Sequence, residues 1–216
     1  MKHLFIVTYG KSGSTLLMGL LNSIPGFQIM GENGGVILNL LQYQKKASEV
    51  SRKWTTSEPL ESSHPWYGID HYPSDVALDR MADLVTDTLL RPGPDTIVTG
   101  FKEIRWWTVS VTAYLDFLDS LYPNARYLLN TRNHQNVAAS SWWKKDPDAV
   151  QTLERIEANM RRAVGSRGER GYHIHYDDYI ADRTLLRELC DWLEVDYDQE
   201  RFDRVMDIRH TTKRRS

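Results

Sequence analysis

The stretch Phe5–Asn22, FIVTYGKSGSTLLMGLLN, runs from apolar residues through a Gly/Ser/Thr patch into apolar residues at helical spacing. This pattern constrains the fold more than any other in the chain. A strand-length apolar run (residues 4–8) must stop, the chain must turn, and a helix must start near Leu16 and end at Pro25-Gly26. Gly10 and Gly13 let the backbone approach a ligand closely, and Ser12, Ser14 and Thr15 supply hydroxyls. The first N–H groups of such a helix have no internal partner and lie at the positive end of its dipole, so the loop is an anion cradle. Lys11 adds a cation.

The rest of the chain repeats the alternation. Residues 96–104, 125–130 and 172–176 are further strand candidates. Helical spacing marks 36–50, Leu78 to Leu89, Val111 to Leu121, about 135–144, Val150 to Val164 and roughly 183–194. Strands alternating with helices predict an α/β fold of P-loop-like type, in which helices flank a mainly parallel sheet in three layers. Ligands of such sheets sit beyond the carboxyl ends of the strands, here the loops near Tyr9, Lys102, Thr131 and Tyr176. Residues 51–75 are polar, aromatic and punctuated by proline without a sustained period, and are read as an ordered loop or lid over an acceptor. No repeat or low-complexity stretch divides the chain, so residues 1–216 are read as one domain.

Composition narrows the partners. A net charge of -2 gives no reason to expect nucleic acid, so an anion site must be local. No apolar run has the length to span a bilayer, and Lys2 leads straight into a strand pattern without a secretory signal. The one cysteine, Cys190, sits in the apolar-periodic run LLRELCDWL and is read as a core residue, which suits a reducing cytoplasm. The sequence is silent on oligomeric state.

Which anion the loop holds follows from lysine's place. A G-x-x-x-x-G-K-[ST] loop puts lysine after the last glycine and a hydroxyl next, to hold a triphosphate and its magnesium. Here Lys11 precedes Gly13, and no strand candidate ends in an apolar run followed by Asp. The loop therefore suits a smaller anion. A second anion element follows the third strand, in LLNTRNHQNVAASSWW: Arg132 leaves the strand and Ser140 stands eight positions on, expected on the following helix. A guanidinium fork and a hydroxyl can there meet one anion. Two separate anion sites suit a nucleoside phosphorylated at both ends. Trp142 and Trp143 are read as packing behind that helix.

TYGKSGSTLL resembles the 5′-phosphosulfate loop of sulfotransferases that use 3′-phosphoadenosine 5′-phosphosulfate (PAPS), and Arg132 with Ser140 resembles the same family's 3′-phosphate pair. The resemblance implies that Lys11 meets the bridging oxygen and sulfuryl group and that Ser12, Gly13, Ser14 and Thr15 meet the 5′-phosphate. HIHYDDYIADRTLLRELCDWLEV is similar to the family's Tyr-Glu-Asp-Leu segment, which brings Tyr176 toward adenine. The tail RHTTKRR is similar to the segment closing over the 3′-phosphate, with Lys213 and Arg214 as ligands. The family's aromatic residue after the loop is Leu16 here, and its Arg-Asp-Pro is Arg132-Asn133-His134.

The implied chemistry is metal-free sulfuryl transfer to a small-molecule or carbohydrate acceptor, dominated by positioning and charge stabilisation. Many members carry a histidine base in a Lys-Thr-His segment, where this chain has Lys102-Glu103-Ile104. Others use a glutamate soon after the first helix, which lands on Glu32 in FQIMGENGG; Glu103 and His64 are alternative bases. Lys102 is assigned to the sulfuryl oxygens or the acceptor, or else to an ion pair with Glu103 and Arg105. Trp54, Trp66, Tyr67, Tyr72, Trp106 and Trp107 are candidates for stacking on the acceptor. Two other readings stay open: a kinase using ATP and magnesium through an irregular loop, and a nucleotide-binding module without turnover.

Overall fold

The computed structural model describes residues 1–207. Its centre is a five-stranded, wholly parallel sheet in the order β2-β3-β1-β4-β5. The strands are β1 (Lys2–Val7), β2 (Phe27–Met30), β3 (Val98–Glu103), β4 (Arg126–Thr131) and β5 (Gly171–His175). Leu4, Phe5, Ile6 and Val7 are all buried, as expected of a central parallel strand covered on both faces.

Helices α1 (Ser14–Asn22), α2 (Ile37–Trp54), α3 (Ser74–Val85), α4 (Val111–Leu121), α5 (His134–Ala138) and α6 (Ala149–Gly165) precede β5, and α7 (Tyr176–Ala181), α8 (Leu185–Leu193) and α9 (Gln199–Met206) follow it. Phe5 and Val7 face one apolar core with residues of α3, α4 and α6, while Leu4 and Ile6 face the other with α1, α8 and α9. The result is the three-layer α/β architecture expected of the sequence. In α1, Leu17, Leu20 and Leu21 form the buried stripe, each contributing about 1.5–3 kcal/mol relative to exposure. A nine-residue helix is marginal alone, so this packing holds it in place. Cys190 is buried in the second core. No helix among the described residues is long and apolar enough to cross a membrane.

Several element boundaries differ from those predicted. The strand β2 lies in a stretch that the sequence reading assigned to no element: it is four residues long, and only Phe27 and Ile29 are buried. The Asn22 side-chain amide closes its outer edge, accepting from Ile29 N–H at 2.6 Å and donating to Ile29 C=O at 2.9 Å. The helix expected to about residue 144 stops at Ala138, and a tight turn with Ser141 at positive φ replaces its second half. The segment 51–75 begins as the end of α2 and ends as the start of α3. The loop between them is fixed by buried Asp70, which accepts from Leu60 N–H at 3.3 Å and Gly68 N–H at 3.1 Å.

The chain leaves central β1 toward edge strand β2, returns through β3, and crosses to β4. The loop after β1 leads to α1 on one face and the loop after its neighbour β4 leads toward α6 on the other, so the two part at the carboxyl edge of the sheet.

Candidate active site

The loop from Thr8 to Gly13 is braced from below. Thr8 Oγ1 donates to Asn130 C=O at 2.7 Å, so the Ser12 hydroxyl, 2.6 Å away, must donate to Thr8. Asn130 Nδ2 donates to Ser12 C=O at 2.9 Å, and Trp143 Nε1 donates to Gly10 C=O at 3.0 Å. Ser12 is wholly buried, so its hydroxyl holds the loop together and does not stand free as a donor to a ligand, in contrast to the sequence-based expectation. Gly13 caps α1 at φ 80°, and a Cβ there would lie 2.0 Å from the Tyr176 ring. Lys11 also takes a left-handed conformation, at φ 71°. Among the described residues, no backbone acceptor takes the N–H of Lys11, Ser12 or Gly13. Thr15 is exposed, and Ser14 is buried at the start of the helix.

Arg132, at the end of β4, joins this loop. Its Nη1 donates to Lys11 C=O at 3.2 Å, and its guanidinium lies 4.6 Å above the centre of the Tyr176 ring. Asp177 faces Arg132 Nε at 3.7 Å; that nitrogen is buried and has no hydrogen-bond partner among the described residues. Tyr176 is thus the first residue of α7, packed between the loop glycine and the arginine.

Ser140 lies beyond α5 and not on the helix as expected, and its hydroxyl donates to Val137 C=O at 2.7 Å. Trp142 is also placed differently from expectation. Only Trp143 packs inside, whereas Trp142 is half exposed and stands over Gly10, with Lys11 Nζ 5.1 Å from its ring centre.

On the β2–β3 side of the sheet, Lys102 Nζ donates to Glu32 Oε1 at 2.5 Å. The Lys102 side chain is 6% exposed and that of Glu32 37%, so this is a buried cation with a carboxylate that still reaches solvent. Lys102 therefore pairs with Glu32 and not with Glu103 or Arg105. Glu103 is fully buried, and its carboxylate accepts the N–H groups of Asn33, Gly35, Ile104 and Arg105 at 2.7–3.2 Å. A carboxylate so engaged holds the Glu32 loop and is not free to take a substrate proton.

His64 lies in the 55–68 loop, where its Nδ1 accepts from Trp66 N–H at 3.2 Å and its ring meets Trp54 edge-on. Trp54 and Trp66 stack on each other, 5.4 Å apart at 18°. Trp106 is buried in the first core, while Tyr67, Trp66 and Trp107 remain exposed. Tyr72 is tied to Gln44 through its hydroxyl.

Lys11, Gly13, Arg132 and Tyr176 thus form one cluster, while Glu32, just past β2, and Lys102 of β3 form a pair on that side of the sheet. Lys213 and Arg214 lie outside the described residues. Among those described, no group of three or more His, Cys, Asp or Glu side chains is arranged for a metal ion. Sequence reading did not single out the side chains of Tyr9, Asn130 and Asp177, and it gave Trp142 only a packing role; the one hint was their closeness in sequence to the loop or to Arg132 and Tyr176.

A model of the sulfotransferase family matches residues 3–199. The fold is similar to the sulfotransferase domain from the Synechococcus PCC 7002 olefin synthase (TM-score 0.58, 22% identity), which aligns over 94% of this chain and 76% of that one. It is also similar to the sulfotransferase domain from the curacin biosynthetic pathway (0.53, 16%, covering 93% and 76%). A sulfotransferase from Mycobacterium avium is similar at 0.51 and 13% identity, covering 99% and 69%. No curated protein matches the chain in sequence.

Proposed function

This chain belongs to the sulfotransferase family, and from that membership we propose that it moves a sulfuryl group from PAPS to a hydroxyl or amine of a small-molecule or carbohydrate acceptor. The observation that carries the reading is the contact between the two anion elements, Arg132 Nη1 to Lys11 C=O at 3.2 Å, with the Tyr176 ring against both Arg132 and Gly13. A cationic cluster of that size suits one nucleotide with phosphate at the 3′ and 5′ positions.

The donor supplies the sulfuryl group and a phosphate leaving group. In this reading the backbone N–H groups of residues 11–13 and the first turn of α1 bind the 5′-phosphate. Lys11 neutralises the charge left on that phosphate as its S–O bond breaks. Arg132 takes the 3′-phosphate, with Ser140, Lys213 and Arg214 as further ligands. Glu32 accepts the acceptor's proton as the new S–O bond (S–N for an amine) forms, and Lys102 holds the Glu32 carboxylate and faces the sulfuryl oxygens. The 55–68 loop, bearing exposed Trp66 and Tyr67, covers the acceptor. A reducing cytoplasm suits the buried free thiol of Cys190.

Calorimetric titration with adenosine 3′,5′-bisphosphate against ATP with magnesium tests the proposal. Tighter binding of the bisphosphate is expected, and tighter ATP binding rejects the reading in favour of a kinase. Arg132→Ala should weaken bisphosphate binding by about 1.5–3 kcal/mol, the worth of a charged hydrogen bond.

A further inference from the structure

Below the Lys11–Arg132 cluster runs a chain of polar side chains drawn from several elements. Tyr9 and Thr131 are fully buried, and Glu157 of α6 nearly so. The Tyr9 hydroxyl lies 2.7 Å from Glu157 Oε2 and 2.9 Å from the backbone nitrogen of Arg132. Burial pushes the Tyr9 phenol well above its ordinary range, so it keeps its proton. That proton goes to the carboxylate, and the phenol oxygen is left to accept Arg132 N–H. Glu157 also receives His134 Nε2 at 2.8 Å and the Arg161 guanidinium through Nε at 2.8 Å and Nη2 at 2.7 Å. Burial alone would raise the Glu157 carboxyl, but the hydrogen bonds from Tyr9, His134 and Arg161 outweigh it and hold the group below the usual carboxylate range.

The outer half of the network faces solvent. Arg161 Nη1 is 3.1 Å from His173 Nδ1, and a guanidinium can only donate, so His173 carries its proton on Nε2. That proton goes to Thr131 Oγ1 at 2.8 Å, and the threonine proton goes to His175 Nδ1 at 2.8 Å. His175 then turns Nε2–H toward Asp177 Oδ2, 3.5 Å away. Asp177 accepts Asn133 N–H at 2.9 Å and faces Arg132 Nε. Because Arg161 can only donate and Glu157 can only accept, the proton directions through Tyr9, Glu157 and His173 are fixed. Arg132 is held by its main chain through Tyr9, and its side chain faces Asp177 as an ion pair.

We propose that Tyr9 and Glu157 are positioning residues for the 3′-phosphate: they hold the Arg132 backbone so that its guanidinium meets that phosphate in register. This rests on Arg132 as the 3′-phosphate ligand, and the mechanism is geometric, since a charged fork loses strength steeply with misalignment.

Calorimetry with two probes, adenosine 3′,5′-bisphosphate and adenosine 5′-phosphate, tests it. If the wild-type chain does not prefer the bisphosphate, the donor reading itself fails. Given that preference, Tyr9→Phe keeps the ring and removes the acceptor of Arg132 N–H. It should weaken bisphosphate binding about tenfold, near the upper end for one neutral hydrogen bond, and leave 5′-phosphate binding within about twofold. Glu157→Gln should act in the same direction, and in an Arg132→Ala background Tyr9→Phe should add nothing. Wild-type binding by both variants, equal weakening of both probes, or additive effects in the double variant would overturn the proposal. If neither variant folds, Arg161→Gln, at the solvent side of the network, is titrated with the same two probes. Selective loss of bisphosphate affinity then supports the positioning role, and wild-type binding or equal weakening of both probes overturns it.

Discussion

Lys102 and Glu103 are neighbours on β3, and the strand's period of two sends them to opposite sides with opposite fates. Glu103 is surrounded by four backbone N–H donors, which satisfy its carboxylate and anchor the loop after β2. Glu32, on that anchored loop, has Lys102 as its ion-pair partner and reaches solvent. Of the glutamates considered as base, only Glu32 keeps an oxygen for an incoming hydroxyl. Replacing Glu32 with Gln preserves size and removes the proton acceptor. We expect turnover to fall by at least about 100-fold, with bisphosphate affinity held within about twofold. Turnover near the wild-type level in a sulfuryl-transfer assay would dismiss Glu32 from that role.

At the scale of elements, the strand–loop–helix unit is where local sequence and final structure agree most closely. The apolar run is β1, the Leu17/Leu20/Leu21 stripe is the buried face of α1, and Gly13 sits where left-handed backbone is required. Gly13→Ala must place a methyl group on the Tyr176 ring at φ 80°. It should cost about 1–3 kcal/mol of stability, read from the urea midpoint, and weaken bisphosphate binding because Tyr176 and Arg132 move together. Unchanged midpoint and affinity would mean that the loop relaxes without strain. Elements whose existence depends on neighbours were not legible. In β2 half the residues are only partly buried, and its backbone is satisfied by β3 on one side and the Asn22 amide on the other. The short α5 follows an apolar pattern that continues past its end, and the turn at Ser141 that stops it brings Trp142 over Gly10.

For the whole molecule, histidines desolvated on folding contribute to its response to acid. His3 of β1 stacks on Tyr122 with ring centres 4.0 Å apart, and its Nε2 is buried without a partner among the described residues. Burial lowers its pKa from 6.5 to about 4. The unfolded chain therefore binds a proton that the folded chain refuses. This contribution to stability is complete above pH 6.5 and is lost as pH falls from 6.5 toward 4. His173, also lowered to about 4 chiefly by desolvation, titrates in the same window, so His3→Phe should reduce but not abolish the fall of the urea midpoint there; an unchanged acid limb would show that His3 does not contribute.

The sequence by itself determined the layered α/β class and the strand–loop–helix unit at residues 4–22, because apolar period, glycine placement and helix starts are local properties with short-range causes. It also singled out Lys11, Arg132, Glu32 and Lys102 as chemically pointed residues. Only the tertiary structure decided which of them meet. The pairing of Lys102 with Glu32, the anchoring role of Glu103 and the network through Tyr9 and Glu157 join residues far apart in the chain. Their distances are set by strand register and by helices packed across the sheet, which no window of neighbouring residues encodes.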